Sequence, residues 1–149
     1  MQTNLDSIDI LLVEDNPADA ELTTRELEKY DFASSLYHVK DGEAALDFIF
    51  AQGIYTNSRN IARLPKLILL DLQLPKIDGI GVLTKIRSDF RLRQLPVVIL
   101  TGTNESPDIR KCYELGAKSY IVKPLHFEYF IEAIKETSLY WKVLNTLVE

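Results

Sequence analysis

Residues 8–13, IDILLV, are aliphatic and β-branched with almost no polar alternation, the pattern of a strand covered on both faces. The same pattern returns in LILL (67–70), VVIL (97–100) and KSYIV (118–122), with a shorter run, SSLYHV, at 34–39. Between these runs the apolar positions change to helical spacing. Asn16 and Pro17 are suited to cap and open a helix reaching about Tyr30. Asp41 caps a second helix, carrying Ala45, Phe48 and Ile49, that Gly53 stops. Ile80, Leu83 and Ile86 mark a third helix. Ile109, Cys112 and Tyr113 mark a fourth that ends at Gly116, and Phe127, Phe130, Ile131, Ile134 and Trp141 a long last one. Strand and helix thus alternate five times. Strands buried on both faces imply a parallel sheet with helices on either side, an α/β three-layer sandwich.

In such a sheet ligands sit beyond the carboxyl ends of the strands. The residues there are Glu14-Asp15, Asp71, Thr101 and Lys123. Each alone reads as an ordinary turn residue. A parallel sheet, however, brings all of them to one edge, so they are judged together. Two like charges ~4 Å apart at an effective dielectric near 20 cost about 4 kcal/mol, and three carboxylates at one edge need cationic relief. Lys123 supplies one charge. A hard divalent ion held by oxygens supplies two, and Mg²⁺, which takes one or two carboxylates with water and phosphate oxygens, suits an open rim. Such a site is built to neutralise phosphoryl oxygens while a carboxylate, Asp71, attacks.

Composition narrows the partners. A length of 149 residues with 46% hydrophobic content is expected to form one domain with a real core. Seventeen basic against twenty-two acidic residues give a net charge of -5, which disfavours nucleic acid and anionic lipid and favours a protein or a small phosphate donor. Lys85, Arg87, Arg91 and Arg93 cluster in KIRSDFRLRQLP (85–96), and their ordinary reading is a helix C-terminus complemented by cations. No apolar run approaches the ~20 residues that cross a bilayer, and MQTNLDSID lacks a signal pattern, so the expectation is a cytoplasmic protein without membrane contact. A single cysteine, Cys112, excludes an internal disulfide, and His38 and His126 lack zinc-ligand spacing.

LLVEDN, LILLDLQLPKIDG, VVILTG and YIVKP, in this order, closely resemble the receiver domain of bacterial two-component response regulators over roughly residues 8–138. The resemblance implies a flavodoxin-like fold, with a five-stranded parallel sheet of order 2-1-3-4-5, and phosphoryl transfer from a sensor histidine kinase to Asp71. It also implies that Asp15, Asp71 and the backbone carbonyl of Gln73 bind Mg²⁺, with Glu14 assisting through water. Lys123 would pair with the phosphoryl group, the peptide before Pro124 would be cis, and Thr101 and Tyr120 would form the switch pair.

Two features depart from a bare receiver. The loop at about 53–66 is long, and the last helix continues through SLYWKVLNTLVE, an extension at about 139–149. No output domain is expected to follow, so the chain would pass phosphate on or change what it binds. This layout resembles the stand-alone regulators encoded with cyanobacterial phytochrome histidine kinases, which implies a phytochrome-type kinase partner. Tyr129, Phe130, Tyr140, Trp141, Val143 and Leu147 give the last helix more apolar surface than one sheet can cover, an expected homodimer or kinase interface. Two rival functions stand beside the switch. A dehalogenase-like phosphohydrolase wants a second Asp two residues after the nucleophile, where this chain has Gln73. A non-phosphorylated receiver-like binding module has no need to keep the acids together.

Overall fold

The computed structural model describes residues 4–29, 35–103, 107–137 and 140. Its strands are β1 (Ile10–Val13), β2 (Leu36–Val39), β3 (Leu67–Asp71), β4 (Val97–Thr101) and β5 (Ser119–Val122). The helices are α1 (Pro17–Glu28), α2 (Gly42–Ile49), α3 (Gly79–Ser88), α4 (Asp108–Glu114) and α5 (Phe127–Ala133). All strand pairs are parallel and the order is β2-β1-β3-β4-β5. Because side chains alternate along a strand, each run feeds two cores. Leu11, Val13, Ile68, Leu70 and Ile99 pack against α2, α3 and α4 through Phe48, Val82, Ile86 and Cys112. Ile10, Leu12, Leu69, Val98 and Ile121 pack against α1 and α5 through Ala20, Leu27, Phe130 and Ile134. This two-sided burial is why the strands lack polar alternation.

The caps form as the sequence suggests. The Asn16, Asp41 and Asp78 side chains accept from the N–H of Asp19, Ala44 and Gly81 at the starts of α1, α2 and α3. Gly116, at φ 85, follows α4. α2, however, ends before Gly53. Ala51 takes a left-handed conformation at φ 53, so the turn is made by a residue with a Cβ, and Gly53 at φ 58 opens a short 3₁₀ turn over Gly53–Tyr55.

Expectations for the last helix, Arg87 and Phe130 are corrected. The last helix is not continuous, since α5 stops at Ala133. Ile134 leaves helical geometry at φ -100 and ψ 5, and the Thr137 N–H and its buried hydroxyl both donate to the Ile134 carbonyl, closing a tighter turn there. Arg87 is not simply a solvated, dipole-complementing cation. Half-buried, its guanidinium donates to the carbonyls of Leu92, Arg93, Leu95, Leu115 and Gly116, tying the ends of α3 and α4 together. The long loop is packed around Arg59, which donates to the carbonyls of Phe48 and Arg63 and to Asp6 and lies 4.2 Å over the Phe48 ring. Of the proposed interface residues, Tyr129 is exposed, Tyr140 packs partly against the second core and Phe130 is fully buried, so Phe130 belongs to the core and not to an interface. Trp141, Val143 and Leu147 lie outside the described residues.

Candidate functional site

Parallel pairing in one register aligns the strand ends. Val13 lies opposite Leu70, Asp71 opposite Leu100, and Thr101 opposite Val122, so the residues at and after these positions share one edge. They line a cavity of about 430 Å³ that includes Glu14, Asp15, Asp19, Asp71, Gln73, Thr101, Asp108 and Lys123. Asp71 and Thr101 are strand residues, not turn residues, and are buried along with Glu14, while Asp15 is exposed. The backbone under Asp71 is crowded: a Cβ on Gly79, the first residue of α3, would lie 2.5 Å from the Asp71 carbonyl oxygen.

Lys123 is the hub. Its ammonium donates to Glu14 Oε1 at 2.9 Å, Asp19 Oδ2 at 3.0 Å and Asp71 Oδ2 at 3.1 Å. The second oxygen of Asp71 accepts from the Gln73 N–H at 3.1 Å, so both of its oxygens are held. Glu14 Oε2 accepts from the Asn16 N–H, and the Glu14 carbonyl bonds His38 Nε2 at 2.7 Å, which fixes the β1–α1 turn against β2. Burial, and then the hydrogen bond with Asp71, push the Glu14 carboxyl up to about 7, with Lys123 pulling the other way. Burial opposes the charge on Lys123, but its bonds to Glu14 and Asp19 and the charge of Asp71 win, so its proton is held more tightly than usual.

The oxygens of Glu14, Asp15 and Asp71 lie within 4.8 Å of one another, and among the described residues no other group of this kind occurs. Oxygen donors alone, with more negative charge than one ammonium balances, fit a hard divalent cation and not a soft one. The Thr101 hydroxyl donates to the Thr103 carbonyl at 2.9 Å. Tyr120 is half-buried on β5 with its ring edge-on to Tyr113, and the Lys123–Pro124 peptide is cis.

Sequence reasoning assembled Glu14, Asp15, Asp71, Thr101 and Lys123 at one edge and missed Asp19. The available signal was its position three residues after the cap Asn16, on the first turn of a helix whose N-terminus meets that edge. His38, noted in the sequence only for lacking zinc-ligand spacing, bonds the backbone of the acidic turn.

A doubly wound parallel sheet with an oxygen-lined, lysine-bridged acid cluster at its carboxyl edge defines the class: a flavodoxin-like α/β fold with a carboxylate-centred edge site. Residues 10–135 match the response regulator receiver domain, and the chain belongs to that family. It is 41% identical over 132 residues to the probable methanogenesis regulatory protein FilR2 of Methanothrix harundinacea, covering 89% of this chain and 82% of that one. It is 37% identical to response regulator Rcp1 of Synechocystis sp. over 93% of this chain and 91% of that one. Among solved structures, the bacteriophytochrome response regulator AtBRR superposes with a TM-score of 0.77 at 44% identity, over 85% of this chain and 89% of that chain. The Mn(2+)-bound form of Rcp1 superposes with a TM-score of 0.69 at 38% identity, over 85% and 88%. No described helix is long and apolar enough to cross a membrane.

Proposed function

We propose that this receiver domain is a phosphoacceptor switch in which Asp71 receives a phosphoryl group from the phosphohistidine of a sensor histidine kinase. The observation that carries the reading is Asp71 itself, buried yet facing an open cavity, with one oxygen held by Gln73 N–H and the other by Lys123. Asp15 and Asp71, with the Gln73 carbonyl and with Glu14 behind them, would hold Mg²⁺. The Mn(2+)-bound form of the relative Rcp1 supports a divalent ion in a homologous domain. When bound, the ion neutralises phosphoryl oxygens and relieves the crowded carboxylates.

The chain's own residues do the rest. Gln73 N–H and Lys123 orient the Asp71 carboxylate for attack on phosphorus. As the Asp71 O–P bond forms, the donor's bond to phosphorus breaks and the leaving group takes the electron pair. Lys123 donates a hydrogen bond to a phosphoryl oxygen while keeping its proton. Thr101 exchanges its Thr103 acceptor for a phosphoryl oxygen, and Tyr120 turns inward behind it, so that new charge biases a two-state element. Slow loss of the group by water attack returns the carboxylate.

Relatedness to the bacteriophytochrome response regulator AtBRR supports a phytochrome-type kinase upstream, and the exposed Tyr129 supports a homodimer or kinase contact on α5. Intact-mass analysis after incubation with acetyl phosphate tests the central claim. A Mg²⁺-dependent, hydroxylamine-labile phosphoryl adduct absent from Asp71→Asn is expected. A protein that stays unmodified with both acetyl phosphate and a phosphorylated kinase is a binding module instead. Sedimentation of the phosphorylated and unphosphorylated protein tests the dimer, and a monomer in both at tens of micromolar removes it.

A further inference from the structure

An ammonium has three N–H donors, and Lys123 spends all three on Glu14, Asp19 and Asp71. A phosphoryl group on Asp71 needs a donor from the same ammonium, so one existing acceptor must give way. Glu14 is fully buried and strapped to the Asn16 N–H, so losing Lys123 would leave a buried oxygen that water cannot reach. Phosphorylation turns the Asp71 oxygen on Lys123 into a weak ester acceptor, and the phosphoryl oxygens lie two bonds beyond it, so an ammonium that follows them must also leave Glu14 or Asp19. Asp19 is different, because its side chain is 36% exposed and it stands on the first turn of α1, where water and the helix dipole accommodate a free carboxylate.

We propose that Asp19 is a positioning residue that holds Lys123 in the resting state and is displaced by the incoming phosphoryl group, making the Asp19–Lys123 pair a tie between α1 and the end of β5 that phosphorylation releases. The inference rests on the phosphoacceptor reading of Asp71 and deepens it. During transfer the Asp71 O–P bond forms, the donor's bond to phosphorus breaks with its electron pair going to the leaving group, and Lys123 exchanges one acceptor without losing a proton. Asp19 therefore competes with the phosphoryl group for the ammonium. Removing its charge strengthens binding of a phosphoryl mimic, whereas a merely structural role predicts weaker binding or none of this effect.

The experiment is a beryllofluoride titration with saturating Mg²⁺, followed by fluorine NMR, on wild type, Asp19→Asn, Asp19→Ser, Asp108→Asn and Asp71→Asn. Asp108 lines the same cavity from α4 and reports the general effect of removing one negative charge. Wild type is expected to bind, Asp71→Asn to lose binding, and both Asp19 variants to bind about three- to fivefold tighter, the range for a partly exposed ion pair. Unchanged or weaker binding in both Asp19 variants overturns the exchange, as does an equal gain in Asp108→Asn. Failure of folded wild type to bind beryllofluoride strikes the phosphoacceptor reading itself, and the exchange falls with it.

Discussion

Replacing Asp71 with Asn is expected to stabilise the metal-free protein at pH 8 while leaving it little changed at pH 5. At the higher pH, Glu14, Asp19 and Asp71 share one ammonium, with Asp15 beside them. The Glu14 carboxyl is pushed from its ordinary 4.5 to about 7, first by burial and then by Asp71. A group that holds its proton more tightly when folded contributes stability while protonated, and that contribution is lost as pH rises through its folded value. At roughly 1.4 kcal/mol per pH unit, the interval amounts to ~3 kcal/mol lost between about pH 4.5 and 7. Burial is the larger cause and persists in the variant, so relief of the Asp71 share returns about 1 kcal/mol. Lys123 keeps Glu14 and Asp19 as partners. Urea denaturation in chelator across pH 5 to 8 should therefore show wild type losing stability with rising pH and the variant losing less. Added Mg²⁺ should reverse the order at pH 8, since binding to the folded state alone stabilises it. A variant less stable than wild type at pH 8 without metal would refute the crowded-carboxylate reasoning.

Arg87→Ala should cost about 3 kcal/mol by leaving several partly buried carbonyls without their donor, and Arg87→Lys should recover less than half, because a point ammonium cannot match the fork. Urea midpoints compare the three proteins, and near-wild-type stability in Arg87→Lys would contradict the fork argument. Gly79→Ala should lower stability by roughly 1–3 kcal/mol and slow modification by acetyl phosphate, since its Cβ presses on the Asp71 backbone. An unchanged modification rate would confine its role to packing. The Cys112 thiol, buried and pushed up to about 11 by that burial, should resist a thiol-specific disulfide reagent at pH 8 until the protein is unfolded. Stoichiometric labelling of the native protein within minutes would contradict its burial.

Much of the fold and the center of the site were legible because both are written in local patterns. Unbroken aliphatic runs such as LILL have one stable use in a chain of this size, a strand covered on both faces, and the residue that ends each run is then placed at an edge by the parallel topology alone. What stayed hidden depends on contacts between residues distant in sequence. Asp19 meets Lys123 across 104 positions. Its role follows from where α1 starts relative to β5, which no periodicity encodes. Arg87 looked like a dipole-complementing cation and Arg59 drew no reading, because a guanidinium that satisfies backbone carbonyls leaves no mark in the sequence around it. The end of α5 was equally opaque, since the apolar spacing continues through Ile134 while the backbone there tightens into a turn closed by Thr137.

By itself, then, the sequence determined the alternation of strands and helices, the two-faced burial of the sheet and the identity of the acids, threonine and lysine at its edge, because side-chain periodicity and capping act within a few residues. Tertiary structure alone decided how one ammonium is divided among Glu14, Asp19 and Asp71, which of those carboxylates is exposed enough to yield, and which arginines are structural. Those outcomes turn on distances and solvent access fixed only when the strands are laid side by side.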